Sequence, residues 1–226
     1  RKTVDAFFRD IPNDHVPVVL NRNNEQIPSQ TDDLNFDGEW DELIFTLTFQ
    51  PNETKTVFVT LLPKSERKEY PRRTNIRFGD KNPPFEELNN VERLKTTESA
   101  KTSKVFQMEG PAWENDKVAF RNYFDARNGI DIYGKRTENM ALDSVGILGQ
   151  NYHELDSWGM DILKVGNSLG AGAIALKVKD SVYRIGLSEK ATYKLITEGP
   201  VRSVFQFSFM GQPAGGNFYD VWHTIS

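Results

Sequence analysis

The chain of 226 residues is 38% hydrophobic and 12% aromatic with a formal charge of −4, enough apolar mass for one large domain or two small ones. That acidic balance offers no surplus of cations for phosphates, so nucleic acid is excluded as the expected partner. The lack of cysteine excludes disulfides, thiolate metal sites and cysteine nucleophiles. No apolar run reaches the length of a membrane span, and composition says nothing of oligomeric state.

In chain order, Phe7, Phe8 and Val16 to Leu20 form short apolar clusters cut by Pro12 and Pro17, which suits edge strands rather than a helix. An acidic run from Asp32 to Glu42 follows. Leu43, Phe45, Leu47 and Phe49 then alternate along one expected strand, and Val57, Val59 and Leu61 along the next, with a turn at Pro51. Residues 1–62 therefore read as a small β-sandwich. Residues 1–63 hold 5 Lys/Arg against 11 Asp/Glu, whereas residues 64–104 hold 11 against 7. With few apolar residues and with Pro71, Pro83 and Pro84, residues 63–104 read as a charged linker or surface excursion.

From residue 105 to 226 the β-pattern returns. Strands are expected around 118–124, 130–133, 174–178, 182–185, 193–197, 201–210 and 219–225, joined by short turns. Residues 141–172 interrupt them with a glycine-rich insertion that includes Tyr152-His153 and Trp158-Gly159; such long excursions are usually functional or disordered, and the aromatic content argues against disorder. The last strand runs directly into Ser226, so further strands are expected beyond it.

Three stretches carry candidate chemistry. Asp33, Asn35, Asp37 and Asp41, with Gly38 between, match the front half of a calcium loop. The twelfth position is Ile44 rather than a glutamate, so Ca2+ would need further oxygens from Asp32 or Glu42, and a solvated acidic turn is the competing reading. In Lys117 to Asp125, alternation places Val118, Phe120, Asn122 and Phe124 on one face and Ala119, Arg121, Tyr123 and Asp125 on the other. An arginine fork there could clamp a carboxylate and Trp113 could stack on a sugar ring, or Arg and Asp could simply pair on a solvent face. His153 beside Tyr152 supplies a base and an acid of the kind that β-elimination from a uronic acid needs. A glycosidase would need two facing carboxylates. Glu114, Asp116, Asp125 and Glu154 are available, and spacing selects no pair among them. Gly166 to Gly172 lacks the Lys and flanking pattern of a phosphate loop.

The motifs Ile27-Pro-Ser-Gln-x-Asp-Asp-Leu-x-x-Asp-Gly, Glu109-Gly-Pro-Ala-Trp-Glu-Asn-Asp-Lys-Val-Ala-Phe-Arg, Tyr152-His153 and Trp158-Gly-Met-Asp-Ile-Leu-Lys-Val-Gly resemble a domain-of-unknown-function family of secreted proteins from bacterial polysaccharide-utilisation loci. The resemblance implies an all-β fold, with the small N-terminal β-sandwich followed by part of a large antiparallel, galactose mutarotase-like supersandwich. It also implies a periplasmic or secreted location and a glycan ligand. Trp113, Glu114, Asn115, Asp116, Arg121, Tyr152, His153 and Trp158 fall on its motif positions as pocket residues. The expectation is a lyase or other carbohydrate-active enzyme for an acidic glycan, with catalytic His153, Tyr152, Arg121 and Glu114 and ligand contacts from Trp113, Asn115, Asp116, Tyr123 and Trp158. The alternative is a non-catalytic glycan-binding protein.

Overall fold

A computed structural model describes residues 11–94, 102, 104–166 and 168–226; Phe7, Phe8 and part of the expected linker lie outside them. The fold is all-β and antiparallel, and the chain divides into two units: residues 1–73 with 196–203, and residues 74–195 with 204–226. Among the described residues no helix is long and apolar enough to cross a membrane.

The first unit holds β1 (His15–Leu20), β2 (Ser29–Asp32), β3 (Glu42–Phe45) and β4 (Phe58–Pro63), paired as β1 with β4 and β2 with β3. The two strands expected on either side of Pro51 thus pair with earlier segments rather than with each other. Because β1 has a partner on one side only, Pro17 costs no ladder bond there. Gln30 and Asp32, both buried, tie in the returning segment. Gln30 Oε1 accepts the backbone N–H groups of Val201 (3.0 Å) and Arg202 (3.1 Å). Asp32 accepts Arg202 Nε at 2.8 Å, and Glu42 accepts Arg202 Nη2 at 2.6 Å.

The second unit is a sandwich. One sheet contains β5 (Thr74–Arg77), β7 (Ala112–Asn115), β8 (Val118–Asn122), β9 (Ile130–Lys135) and β10 (Gly159–Asp161), in the order β10-β9-β8-β7-β5. The facing sheet contains β6 (Asn90–Leu94), β13 (Lys190–Glu198), β14 (Ser203–Ala214) and β15 (Asn217–Ile225), in the order β15-β14-β13-β6. A separate hairpin joins β11 (Ala175–Val178) to β12 (Ser181–Arg184). Between the sheets lie Ile76, Phe78, Phe124, Ile185, Tyr193, Phe205, Phe207 and Phe209. The in–out alternation of β14 puts three of its phenylalanines on this face.

The charge-based boundary at 63–104 is corrected, because β5 and β6 insert from that segment into both sheets of the sandwich. Their few apolar residues suffice: Ile76 and Phe78 are buried in the core and Val91 packs against it.

The glycine-rich insertion closes over the outer face of the five-stranded sheet and creates a second core of Met108, Ala112, Ala119, Tyr133, Leu142, Val145 and Trp158. Two buried polar groups pin it. Glu114 accepts the N–H groups of Ala141 (2.7 Å) and Leu142 (2.9 Å) while pairing with Lys135. Gln107 donates to the carbonyls of Leu142 (3.0 Å) and Val145 (2.6 Å). The insertion re-enters the sheet at Gly159, whose φ of +138° and whose virtual Cβ, 1.9 Å from the Gly134 carbonyl oxygen, leave room for no other residue.

Candidate functional site

Strand register gathers polar groups on the covered face of the five-stranded sheet. Arg121 is opposite Asp131, and Tyr133 is opposite both Ala119 and Asp161. The alternation read for 118–125 is therefore correct in sense. At Ala119 and Arg121, however, the face assigned to solvent or ligand lies beneath the insertion. Arg121 is 0% exposed. Its Nη1 donates to the Met108 carbonyl at 2.6 Å, its Nη2 pairs with Asp131, and Glu109 and Asp161 lie at 3.8 and 3.7 Å. Sealed in this way, Arg121 cannot grip a ligand carboxylate, which corrects its expected role.

The arginine that does reach solvent is Arg127. Its guanidinium lies 3.6 Å from the Tyr123 ring centroid, and that of Arg121 lies 3.7 Å away, so both cations use Tyr123 as a cation–π partner. Nε and Nη2 of Arg127 are held by Asp125 (3.0 and 2.6 Å) and Glu109 (2.8 Å). Its Nη1 has no protein partner among the described residues.

Tyr123, Arg127, His153 and Asp161 line one cleft of about 560 Å³, with the strap Ile162 to Gly166 completing it. His153 Nδ1 is 3.2 Å from Asp161 Oδ2; the histidine is 56% exposed and the carboxylate 5%. Such an arrangement orients an imidazole and leaves Nε2 free for proton transfer. Burial, reinforced by the nearby charge of Asp131 and opposed by Arg121, pushes the Asp161 carboxyl up to about 6. Burial also raises the Tyr123 hydroxyl to about 12, so it carries its proton at neutral pH. Tyr152 is raised by burial too. Its hydroxyl donates to Glu109 at 3.3 Å, and its ring centroid is 4.5 Å from that of His153.

The shift at Asp161 has a thermodynamic consequence. The folded chain holds this proton up to about pH 6, and the unfolded chain releases it near pH 4. More protons are bound in the folded state across that window, so the contribution of Asp161 to stability falls as pH rises from about 4 to 6. Asp161→Asn flattens this part of the stability profile, as measured by urea unfolding at a series of pH values; an unchanged slope would show that the carboxyl is not perturbed.

The other expected ligand contacts are placed elsewhere. Trp113 packs into the core between the sheets, 5.1 Å from Phe205 and stacked on Phe120 at 5.7 Å. Trp158 is 7% exposed within the second core, 5.7 Å from Tyr133. Neither offers a free ring for a sugar. Glu114, 4% exposed, is the anchor described above rather than an acid open to ligand. Asn115 closes the β7–β8 turn by accepting the N–H groups of Lys117 (2.8 Å) and Val118 (3.0 Å), and Asp116 lies beside Lys117 at 4.0 Å.

In the acidic loop of the first unit, Asp33 accepts the N–H groups of Phe36 (2.7 Å) and Gly38 (2.9 Å). Asn35 accepts that of Asp37 (2.9 Å), Asp37 that of Glu39 (2.8 Å) and Asp41 that of Leu34 (2.8 Å). These are the bonds of consecutive side-chain-closed turns. The supplementary oxygens of Asp32 and Glu42 are committed to Arg202.

Reading the sequence missed Arg127, Asp161 and Lys164 as cleft residues. Asp161 carried a usable signal, since it follows Trp158-Gly159-Met160 within a quoted motif.

No solved structure matches this chain. "Uncharacterized protein P7" of Formosa agariphila is 35% identical over 112 residues, a match covering 41% of this chain and 28% of that protein, so the shared segment spans little more than a quarter of the relative. A family model described as "Domain of unknown function (DUF4861)" matches residues 3–226, and the chain belongs to that family.

Proposed function

We propose that this protein acts on an acidic, uronic-acid-containing glycan and cleaves it by β-elimination. The observation that carries the reading is the convergence of His153 (backed by Asp161), Tyr123 and Arg127 on one cleft. Nη1 of Arg127, with Lys164 nearby on the cleft wall, neutralises the substrate carboxylate and so acidifies the adjacent C–H bond. His153 Nε2 takes that proton, and a carbon–carbon double bond forms as the glycosidic C–O bond breaks. The leaving oxygen takes its proton from Tyr123. Arg127 and Tyr123 thereby replace the buried Arg121 and the Glu109-bonded Tyr152 in the roles first assigned to them.

A hydrolytic route needs two carboxylates across the bond, and Asp161 is the one carboxylate lining this cleft among the described residues. Simple sugar binding loses its platforms with Trp113 and Trp158 in cores. The reading also takes the second unit as part of a galactose mutarotase-like supersandwich. It places the protein in the periplasm or outside the cell within a polysaccharide-degrading system, and it takes Ca2+ at the Asp33–Asp41 loop as a structural addition without a chemical step. Incubation with a panel of polyuronides, with and without calcium, yields an ultraviolet-absorbing unsaturated product. No absorbance change across the panel in either condition would sink the lyase reading.

A further inference from the structure

The basic run that follows the acidic N-terminal stretch is left unused by the chemistry above. Within the first unit, Lys64, Arg67, Lys68 and Arg72 line an open cleft of about 420 Å³, shared with Tyr70 and two carboxylates, Glu69 and Glu198. Three of these cations have no carboxylate within ion-pair distance among the described residues. Arg67 donates to the Ser29 carbonyl at 2.9 Å, Lys68 lies 5.5 Å from the Tyr70 ring centroid, and Lys64 is exposed. Arg72 has Glu198 at 3.8 Å. Four cations against two carboxylates in one cleft, on a chain of net −4, are a local excess of positive charge that marks a place for an anion.

The layout separates the possible anions. Lys64 opens a single 3-10 turn (Lys64–Glu66), and the other three cations follow on irregular backbone without ladder partners. Charges strung along the chain match a linear polymer with repeating anions, whereas a lone phosphate is gripped by converging donors. Single-stranded nucleic acid needs aromatic faces for its bases. Tyr70 is the one aromatic lining this cleft; its ring lies beneath Lys68 and its hydroxyl is bonded to the Gln26 carbonyl at 2.6 Å.

We infer that this cleft is a second, non-catalytic groove that holds a polyuronide chain through its carboxylates. The ligand class rests on the function proposed above. The floor is preorganised: a Cβ on Gly199 would lie 2.3 Å from Gln30 Oε1, and Gln30 is fixed by the bonds to Val201 and Arg202, so the groove does not collapse when empty.

The test is affinity electrophoresis of the full chain through gels containing polygalacturonate, dextran or single-stranded DNA. Polygalacturonate retards the protein, dextran does not, and retardation disappears at about 0.5 M salt because exposed charges are screened. Lys64→Glu with Lys68→Glu, two exposed positions, weakens the interaction about tenfold and leaves the unfolding midpoint unchanged. Equal retardation of wild type and variant, or none at all, would overturn the groove, and equally strong retardation by DNA would overturn its assignment to polysaccharide. His153→Ala keeps full retardation. A groove that binds while no unsaturated product ever forms would condemn the lyase reading alone; turnover of short oligouronides without polymer retardation would condemn the groove alone.

Discussion

Arg121→Met lowers the free energy of unfolding by about 3–5 kcal/mol, the range found when one partner of a buried ion pair is removed. The guanidinium is 0% exposed and Asp131 is 1% exposed, so no water can replace the lost charge without opening the insertion. Asp161 and Glu109, at 3.7 and 3.8 Å from Arg121, then face Asp131 as like charges. The lost bond to Met108 also orphans a buried carbonyl. Arg121 Nε and Asp131 Oδ1 already lack hydrogen-bond partners among the described residues, so the pair is held by its surroundings rather than by full satisfaction. Accordingly, adding Asp131→Asn to Arg121→Met recovers part of the loss, because removing both charges is less costly than removing one. Denaturant unfolding of the single and double variants measures both effects. A single variant within about 1 kcal/mol of the native chain would mean that water reaches this network and that the insertion is not a seal.

How far the sequence disclosed this arrangement depends on whether the signal was local. The alternation along 118–125 gave the correct two faces, because strand parity is a property of consecutive residues. It could not say that the Arg121 face would be covered, since the cover comes from residues 141–158, held by Glu114 and Gln107 through contacts remote in sequence. Trp113 misled for a related reason. A tryptophan beside charged residues resembles a binding platform, but its register opposite Phe120 commits it to the inter-sheet core. The charge balance of residues 64–104 suggested a linker, although Ile76 and Phe78 were enough to seat that segment in the sandwich. His153 was legible as one of three histidines within a glycine-rich insertion. Its partner Asp161 lay within a quoted motif, but the convergence of both with Arg127 on one cleft required the insertion to fold back across β9.

On the lyase mechanism proposed above, His153→Ala reduces kcat/KM toward a polyuronide by about 10²–10⁴-fold, the contribution of a positioned acid–base group, while the unfolding midpoint stays near that of the native chain. The separation is possible because the imidazole is 56% exposed and supports neither core. Added imidazole restores part of the rate to the alanine variant, since the space it vacates opens into the cleft. Asp161→Asn acts differently: it leaves a base but loosens its orientation, so kcat falls and the pH–rate profile moves while KM changes little. Tyr123→Phe keeps the ring that both arginines use and deletes only the proton donor, so its defect is greatest for substrates with poor leaving groups. If His153→Ala retains full activity while Tyr123→Phe is inactive, the base is not the histidine. The proton would then have to go to another group of the same cleft, and the 3.2 Å contact between His153 and Asp161 would be a structural pairing rather than the source of the reaction.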